Sequence, residues 1–235
     1  MFKHFFPTLL VPILLLGAGC TQTVSVSVEP VVEEAAVEGQ GETTAEVMFE
    51  DGNYIVAPPS TTRTATSIVW NAQKRVGAKH NGTVDISSAA FLVEQRGIVG
   101  GTVVVEMRTI VDLDLTDEQF NTMLVNHLKS EDFFFVETYP TATFAIFEVT
   151  QLEGIEGATH RVSGDMTIKG TTNEISFPAS FVQTDGGIQV TGTATLDRTL
   201  WDVRFGSDKF FDNLGDGLIE DEFTLTFDML FTASK

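Results

Sequence analysis

The amino-acid sequence predicts an all-β domain, an antiparallel barrel of about eight strands with a single α-helix. About eight segments alternate apolar and polar residues with the period of two that strands require. No unit of roughly 20 to 50 residues repeats, which excludes a solenoid or a propeller. A β-sandwich is the main alternative. Small residues among large inward-facing ones favour a barrel with room for one small ligand; they are Gly164, Ala179, Gly192 and Ala194.

Residues 1–19 have the pattern of a secretory signal. Lys3 precedes an apolar run from Phe5 to Leu16, which is too short to span a bilayer, and small residues follow it. Cys20, the one cysteine of the chain, comes directly after them, which resembles the cleavage site of bacterial lipoproteins. That resemblance implies cleavage before Cys20 and acylation of its thiol, although Gly17 stands where these sites usually have Leu. The alternative is an ordinary secretory signal followed by an unrelated cysteine.

Residues 20–47 are predicted to be an acidic, disordered tether. Between Glu29 and Glu46 there are six glutamates, and the segment has no Lys or Arg. Such a composition cannot bury enough apolar surface to offset the entropy of ordering, so we expect a solvated spacer.

The whole chain has a formal net charge of −19. A field of this sign repels phosphate backbones, and it therefore argues against nucleic-acid binding and against electrostatic docking to anionic membranes.

The barrel domain is predicted to run from residue 48 to residue 235. Asp51-Gly52 predicts an opening hairpin, and Asn81-Gly82 and Asp185-Gly186-Gly187 predict later turns, because these residues tolerate left-handed backbone. Another turn is expected between Gly97 and Gly101. The predicted strands cover residues 67–71, 82–87, 90–95, 102–110, 142–150, 159–169, 174–182, 188–196 and 223–231.

One helix is predicted over residues 116–129. Thr116 to Gln119 form a capping box, and apolar residues then recur at helical spacing; they are Phe120, Met123, Leu124 and Leu128, with His127 on the same stripe. Phe133, Phe134 and Phe135 follow before Tyr139-Pro140. If this segment is extended, neighbouring side chains point to opposite sides, so at least one Phe meets the ligand or its entrance and another the helix stripe.

Several motifs follow one another along roughly residues 53 to 235; they are Trp70 with 79–84, 126–134, 139–144, 163–170, Asp197-Arg198 through Trp201, 211–216 and 221–223. Together, and in this order, they resemble the YceI family of lipocalin-like bacterial proteins. The resemblance implies an eight-stranded lipocalin-like barrel, with the helix covering one end and a cavity that binds a polyisoprenoid or another long-chain lipid without catalysis. Phe135 and Ala145 depart from the polar residues common at these positions, which adds apolar character.

The resemblance and the inward pattern together give a set of candidate cavity-wall residues. The alternative for the same residues is a packed core, because cavities and cores use the same side chains. His127 and Arg198, with Lys129 beside them, are candidates to hold a lipid headgroup, and structural ion pairs to Asp197 or Asp202 are the alternative. The predicted wall consists of Trp70, Val105, Phe134, Phe144, Ile146, Met166, Phe177, Phe181, Phe223 and Phe227.

Sequence motifs give no support for catalysis, a metal site or a cofactor other than a bound lipid. The four histidines are scattered, without a pair at helical ligand spacing, and no Gly-x-Ser-x-Gly motif occurs. Two alternatives stay open: an enzyme that acts on a hydrophobic substrate with His127 as base, and a surface protein with a filled core.

We expect an exported envelope protein anchored through Cys20. Because no Asp follows Cys20, the outer membrane or its periplasmic side is favoured. The sequence leaves monomer and homodimer open.

Overall fold

A computed structural model describes residues 49–57 and 66–234. The predicted signal (1–19), Cys20, the predicted tether (20–47) and the two outermost residues of the predicted domain lie outside these ranges. No helix within them is both long enough and apolar enough to span a bilayer. The elements are β1 Gly52–Val56, β2 Ser67–Gln73, β3 Lys79–Glu94, β4 Gly97–Asp112, α1 Glu118–Lys129, β5 Thr141–Gln151, β6 His160–Ile168, β7 Thr171–Thr184, β8 Gly187–Asp197 and β9 Glu222–Ala233.

The strands form one closed antiparallel sheet, which confirms the predicted eight-stranded barrel and excludes the sandwich. Consecutive strands pair from β2 to β9, and β9 pairs back with β2. The short β1 does not add a ninth position, because it lies between the same two neighbours as β2, further along them. Tyr54 of β1 pairs with Phe91 and Ala233, whereas Trp70 of β2 pairs with Gly82 and Leu225. The predicted hairpin around Asp51-Gly52 is therefore wrong, since β1 pairs with distant strands.

β3 and β4 form a long hairpin in which two predicted turns are wrong. The turn lies at Gln95-Arg96, both with left-handed backbone (φ 52° and 68°), not among the later glycines. Asn81-Gly82 lies inside β3, which joins the two strands predicted over 82–95. Gly82 is required there by close approach, because a Cβ atom would lie 1.8 Å from the Val111 carbonyl oxygen and 2.6 Å from the Trp70 ring. The predicted turn at 185–187 is confirmed between β7 and β8.

The single helix is present at nearly the predicted position, but its N-cap is Asp117 rather than Thr116. The Asp117 carboxylate accepts hydrogen bonds from the backbone N–H groups of Gln119 and Phe120, at 2.9 and 3.1 Å. No residue of α1 is fully buried, and Phe120 and Met123 are about 60% exposed. The predicted apolar stripe is thus only partly used, and Leu128 in the last turn is the helix residue that reaches the interior.

The three phenylalanines after the helix lie in consecutive turns, so the expectation based on an extended chain is wrong. The N–H groups of Phe134 and Phe135 donate to the carbonyls of Leu128 and Ser130, at 3.1 and 2.8 Å. Phe135 has a left-handed backbone (φ 46°) and packs against Tyr139 on the outside. Phe133 and Phe134 therefore both face the barrel interior, and together with Leu128 they close one end of it.

Candidate ligand-binding cavity

The barrel interior contains two apolar chambers in line. Each has a volume of about 90 Å³. The first chamber is lined without any polar side chain, and the second has Arg198 and Glu220 as its ionisable lining residues. Four residues line both chambers and form the constriction between them; they are Ile68, Val105, Met166 and Leu225, from β2, β4, β6 and β9.

The first chamber has several aromatic rings in its wall, and five of the predicted wall residues lie only in it. The Phe177 ring lies 5.5 Å from the Phe144 ring and 5.7 Å from the Phe227 ring, so the three form one continuous surface. The predicted members that line this chamber alone are Phe144, Ile146, Phe177, Phe181 and Phe227, together with Ala179 from the small-residue prediction.

Small residues shape this chamber in two different ways. Ala179 and Ala194 line the free space directly, as the sequence predicted. The two glycines do not, because aromatic rings of neighbouring strands occupy the space above them. A Cβ atom at Gly164 would lie 2.6 Å from the Phe144 ring, and one at Gly192 would lie 2.7 Å from the Phe227 ring. The glycines therefore leave space for the aromatic rings of the wall, and the alanines leave space for a ligand.

The second chamber lies between the constriction and the end closed by Leu128, Phe133 and Phe134. Trp70, Phe134 and Phe223, three of the predicted wall residues, line it. The Trp70 indole Nε1 donates a 3.1 Å hydrogen bond to the carbonyl oxygen of Val111, which satisfies its one polar group and fixes the ring over Gly82.

Arg198 lies at the wall of the second chamber, and its guanidinium is already held by the protein. It donates to the carbonyl oxygens of Val203 (2.8 Å), Ile219 (3.0 Å) and Glu220 (3.1 Å), and it lies 3.4 Å from an Asp221 carboxylate oxygen. Burial lowers the pKa of Arg198, and the negative charges of Asp221 and Asp197 oppose that shift. These bonds hold the segment after β8 against the barrel. The N–H groups of Arg198 are directed at protein oxygens, so their positions do not support the predicted role in headgroup binding.

His127 lies outside both chambers. Its Nε2 atom is 3.1 Å from an Asp132 carboxylate oxygen, and its ring contacts the edges of Phe133 and Phe205. The structure therefore does not bring His127 together with the predicted wall residues, because the C-terminal turn of α1 directs Leu128 inward and His127 outward. Its predicted headgroup role, and the alternative role as a base acting on a substrate in the cavity, both lack a supporting contact.

Many wall residues were not among the predicted set. A stricter reading of the period-two alternation in β4, β8 and β9 would have found several of them, because they continue the same inward faces. Others come from the irregular segment after β8, where no sequence period applies. Examples of the first kind are Val103, Met107, Val190, Leu225 and Met229, and examples of the second kind are Val203 and Ile219.

Comparison with known proteins was made against families, individual proteins and solved structures. The sequence profile of the YceI-like domain matches residues 60–231. A UPF0312 protein of Staphylococcus aureus (strain bovine RF122 / ET3-1) is 38% identical over 87 residues, which are 34% of this chain and 46% of that protein. The match thus spans about half the length of that relative.

A search of solved structures matches, among others, two bacterial proteins, and the first of them supports the fold. A polyisoprenoid-binding domain from Saccharophagus degradans superposes with a TM-score of 0.55 at 11% identity, covering 79% of this chain and 100% of that one. BcnA of Burkholderia cenocepacia gives a TM-score of 0.49 at 18% identity, covering 70% and 94% of the two chains.

Proposed function

The chain belongs to the YceI-like family, and we propose that it binds a single long apolar chain, of the isoprenoid or fatty type, in its barrel without catalysis. The observation that carries this proposal is the pair of chambers in line, walled almost wholly by carbon. A fully packed core would leave no such pair of cavities, because protein interiors have few voids larger than a water molecule. Empty apolar cavities of this kind stay dry and take apolar guests.

The volume of the chambers indicates the length of the ligand. A dry apolar cavity of about 150 Å³ takes one benzene molecule, so each chamber holds about three or four carbon atoms in this structure. The two together hold about seven carbon atoms, which is roughly half of a common fatty chain. A whole fatty chain or a polyisoprenoid therefore needs the side chains at the constriction to move, or part of the chain to extend beyond the barrel.

The energetics are adequate for such a ligand. Burying about ten methylene equivalents contributes roughly 8 kcal/mol before losses. A free energy of this size corresponds to roughly micromolar affinity, and the entropy of association reduces it. We therefore expect a carrier or storage protein that exchanges its ligand, rather than one that retains it permanently.

The proposed setting is the bacterial envelope. Export is supported by the N-terminal apolar run, and membrane attachment is supported by Cys20 directly after it. The acidic segment 20–47 would then hold the barrel away from the membrane surface. In this arrangement the protein binds a lipid chain close to the bilayer that supplies it.

The direct test is to identify what co-purifies with the protein. Organic extraction followed by mass spectrometry should yield one long-chain lipid per protein, and native mass spectrometry of delipidated protein should show uptake of one C12 to C18 alcohol or prenol. Protein that carries no lipid and takes up none of these at micromolar concentration would refute the proposal. A product that accumulates from the added lipid would instead favour an enzyme.

A further inference from the structure

A second site lies outside the barrel interior, where β3, the end of β4 and the loop before α1 meet. His80 lies on β3, Asp112 is the last residue of β4, and Asp114 follows in the loop. One ligand atom from each side chain, an imidazole nitrogen or a carboxylate oxygen, lies within 4.8 Å of the other two. The histidine and the second aspartate are 34 residues apart in sequence.

The two carboxylates are arranged in the same way. In each, one oxygen accepts hydrogen bonds from neighbouring residues and the other oxygen points toward His80. Asp112 Oδ1 accepts hydrogen bonds from the Leu115 N–H (2.8 Å) and from the Asn121 side-chain amide (3.2 Å). Asp114 Oδ1 accepts one from the Asn81 N–H at 2.7 Å. The Oδ2 atoms of Asp112 and Asp114 lie 3.9 Å and 3.0 Å from His80 Nδ1.

Asp112 provides an independent sign that something binds there. Its side chain has no exposed surface, yet its Oδ2 atom accepts no hydrogen bond from any residue that the structure describes. A buried carboxylate oxygen without a partner is costly, and native proteins normally satisfy such atoms. His80 and Asp114 are about one quarter exposed, so solvent and ions can reach the cluster.

We propose that His80, Asp112 and Asp114 bind a divalent transition-metal ion, with Zn²⁺ as the best match. Zinc takes imidazole nitrogen and carboxylate oxygen at bond lengths of about 2.0–2.2 Å, which places tetrahedral ligand atoms about 3.4 Å apart. The observed separations of 3.0 and 3.9 Å from His80 Nδ1 lie on either side of this value. Two carboxylates balance the charge of the ion, and water would complete the fourth position.

The surrounding hydrogen bonds favour a transition metal over Ca²⁺ or Mg²⁺. The bonds from Leu115, Asn121 and Asn81 orient the carboxylates as the outer partners of metal ligands usually do. Ca²⁺ requires six to eight oxygen ligands, and an imidazole nitrogen suits Zn²⁺ instead. The bound ion would join β3 to the loop before α1, and so it would brace the helix whose last turn closes the second chamber.

The test is isothermal titration of ZnCl₂ into the full chain after chelator treatment. We expect one Zn²⁺ per protein, and at least tenfold weaker binding in His80→Gln and in Asp112→Asn. Asn121→Ala removes the amide that donates to Asp112 Oδ1 and to the carbonyl oxygens of Asp112 and Leu115, and it should weaken binding by about 10- to 100-fold. His127→Gln is the matched control, because it alters another His–Asp pair and should leave zinc binding unchanged.

Three outcomes would overturn the proposal. The first is no zinc binding by the unaltered protein, which would mean that a proton shared between the carboxylates satisfies Asp112. The second is equal zinc binding in His80→Gln, and the third is Ca²⁺ or Mg²⁺ binding as tight as that of Zn²⁺. If Asp112→Asn does not fold, His80→Gln and Asn121→Ala decide the matter, because neither removes a buried charge. The proposal does not depend on the lipid function.

Discussion

Ala194→Phe should shorten the ligand that the barrel accepts. Ala194 is buried on β8 and lines the first chamber. Phenylalanine adds six carbon atoms, more than the three or four that this chamber holds. At roughly 0.8 kcal/mol per methylene, a C16 ligand that can no longer bury four methylenes in the chamber loses about 3 kcal/mol, or about two orders of magnitude in affinity. A C8 ligand bound in the second chamber, which the substitution does not touch, should bind with little change.

The assay is competitive displacement of a fluorescent fatty probe by a series of C8, C12 and C16 alcohols. Thr195→Phe is the control, because residue 195 is exposed and points to the opposite face of the same strand. Circular dichroism and a urea titration should show that both variants fold. A folded Ala194→Phe protein that binds C16 as tightly as the unaltered protein would refute the assignment of this chamber to the ligand.

Three further changes test other features. Gly82→Ala should lower the free energy of unfolding by about 2 to 3 kcal/mol in urea denaturation, because its Cβ would meet Val111 and Trp70; a loss below about 0.5 kcal/mol would contradict the close approach. Burial lowers the pKa of His160, so stability should fall with a slope of up to about 1.4 kcal/mol per pH unit below about pH 6.5. His160→Gln should flatten that slope, and an unchanged profile would assign it to other groups. Cys20→Ser should release the protein from membranes, and a variant that still carries lipid and sediments with membranes would refute the anchor.

The sequence predicted the barrel and much of its wall because both depend on local periodicity. Alternation places Phe144, Phe177 and Phe227 on inward faces, and the structure has them in one aromatic surface. Turn positions were less predictable. Asn81-Gly82 has strong turn chemistry, but packing against Trp70 places it inside a strand, whereas Gln95-Arg96 turns without glycine. At Asn81-Gly82 the contact with Trp70 and Val111 therefore outweighs the local preference for a turn.

The parts of the site that the sequence did not predict depend on contacts between residues that are far apart in sequence. His80 and Asp112 come together only because β3 pairs with β4, and no motif links them. Arg198 was a candidate headgroup ligand with a structural ion pair as the alternative, and its donors reach carbonyl oxygens in a segment that returns from later in the chain. His127 shares a helical stripe with Leu128, yet the two diverge at the end of the helix.

Because β1 and β2 occupy one strand position of the barrel, the length of the chain between them does not affect the circumference of the barrel. Ala57 donates its N–H to the Leu230 carbonyl at 2.8 Å, and the Thr66 carbonyl accepts from the Ile86 N–H at 2.9 Å, so the sheet holds both sides of the interruption. The number of strand positions sets the diameter of a barrel. Chain can therefore be gained or lost between residues 57 and 66 while eight positions, and hence the cavity width, are kept.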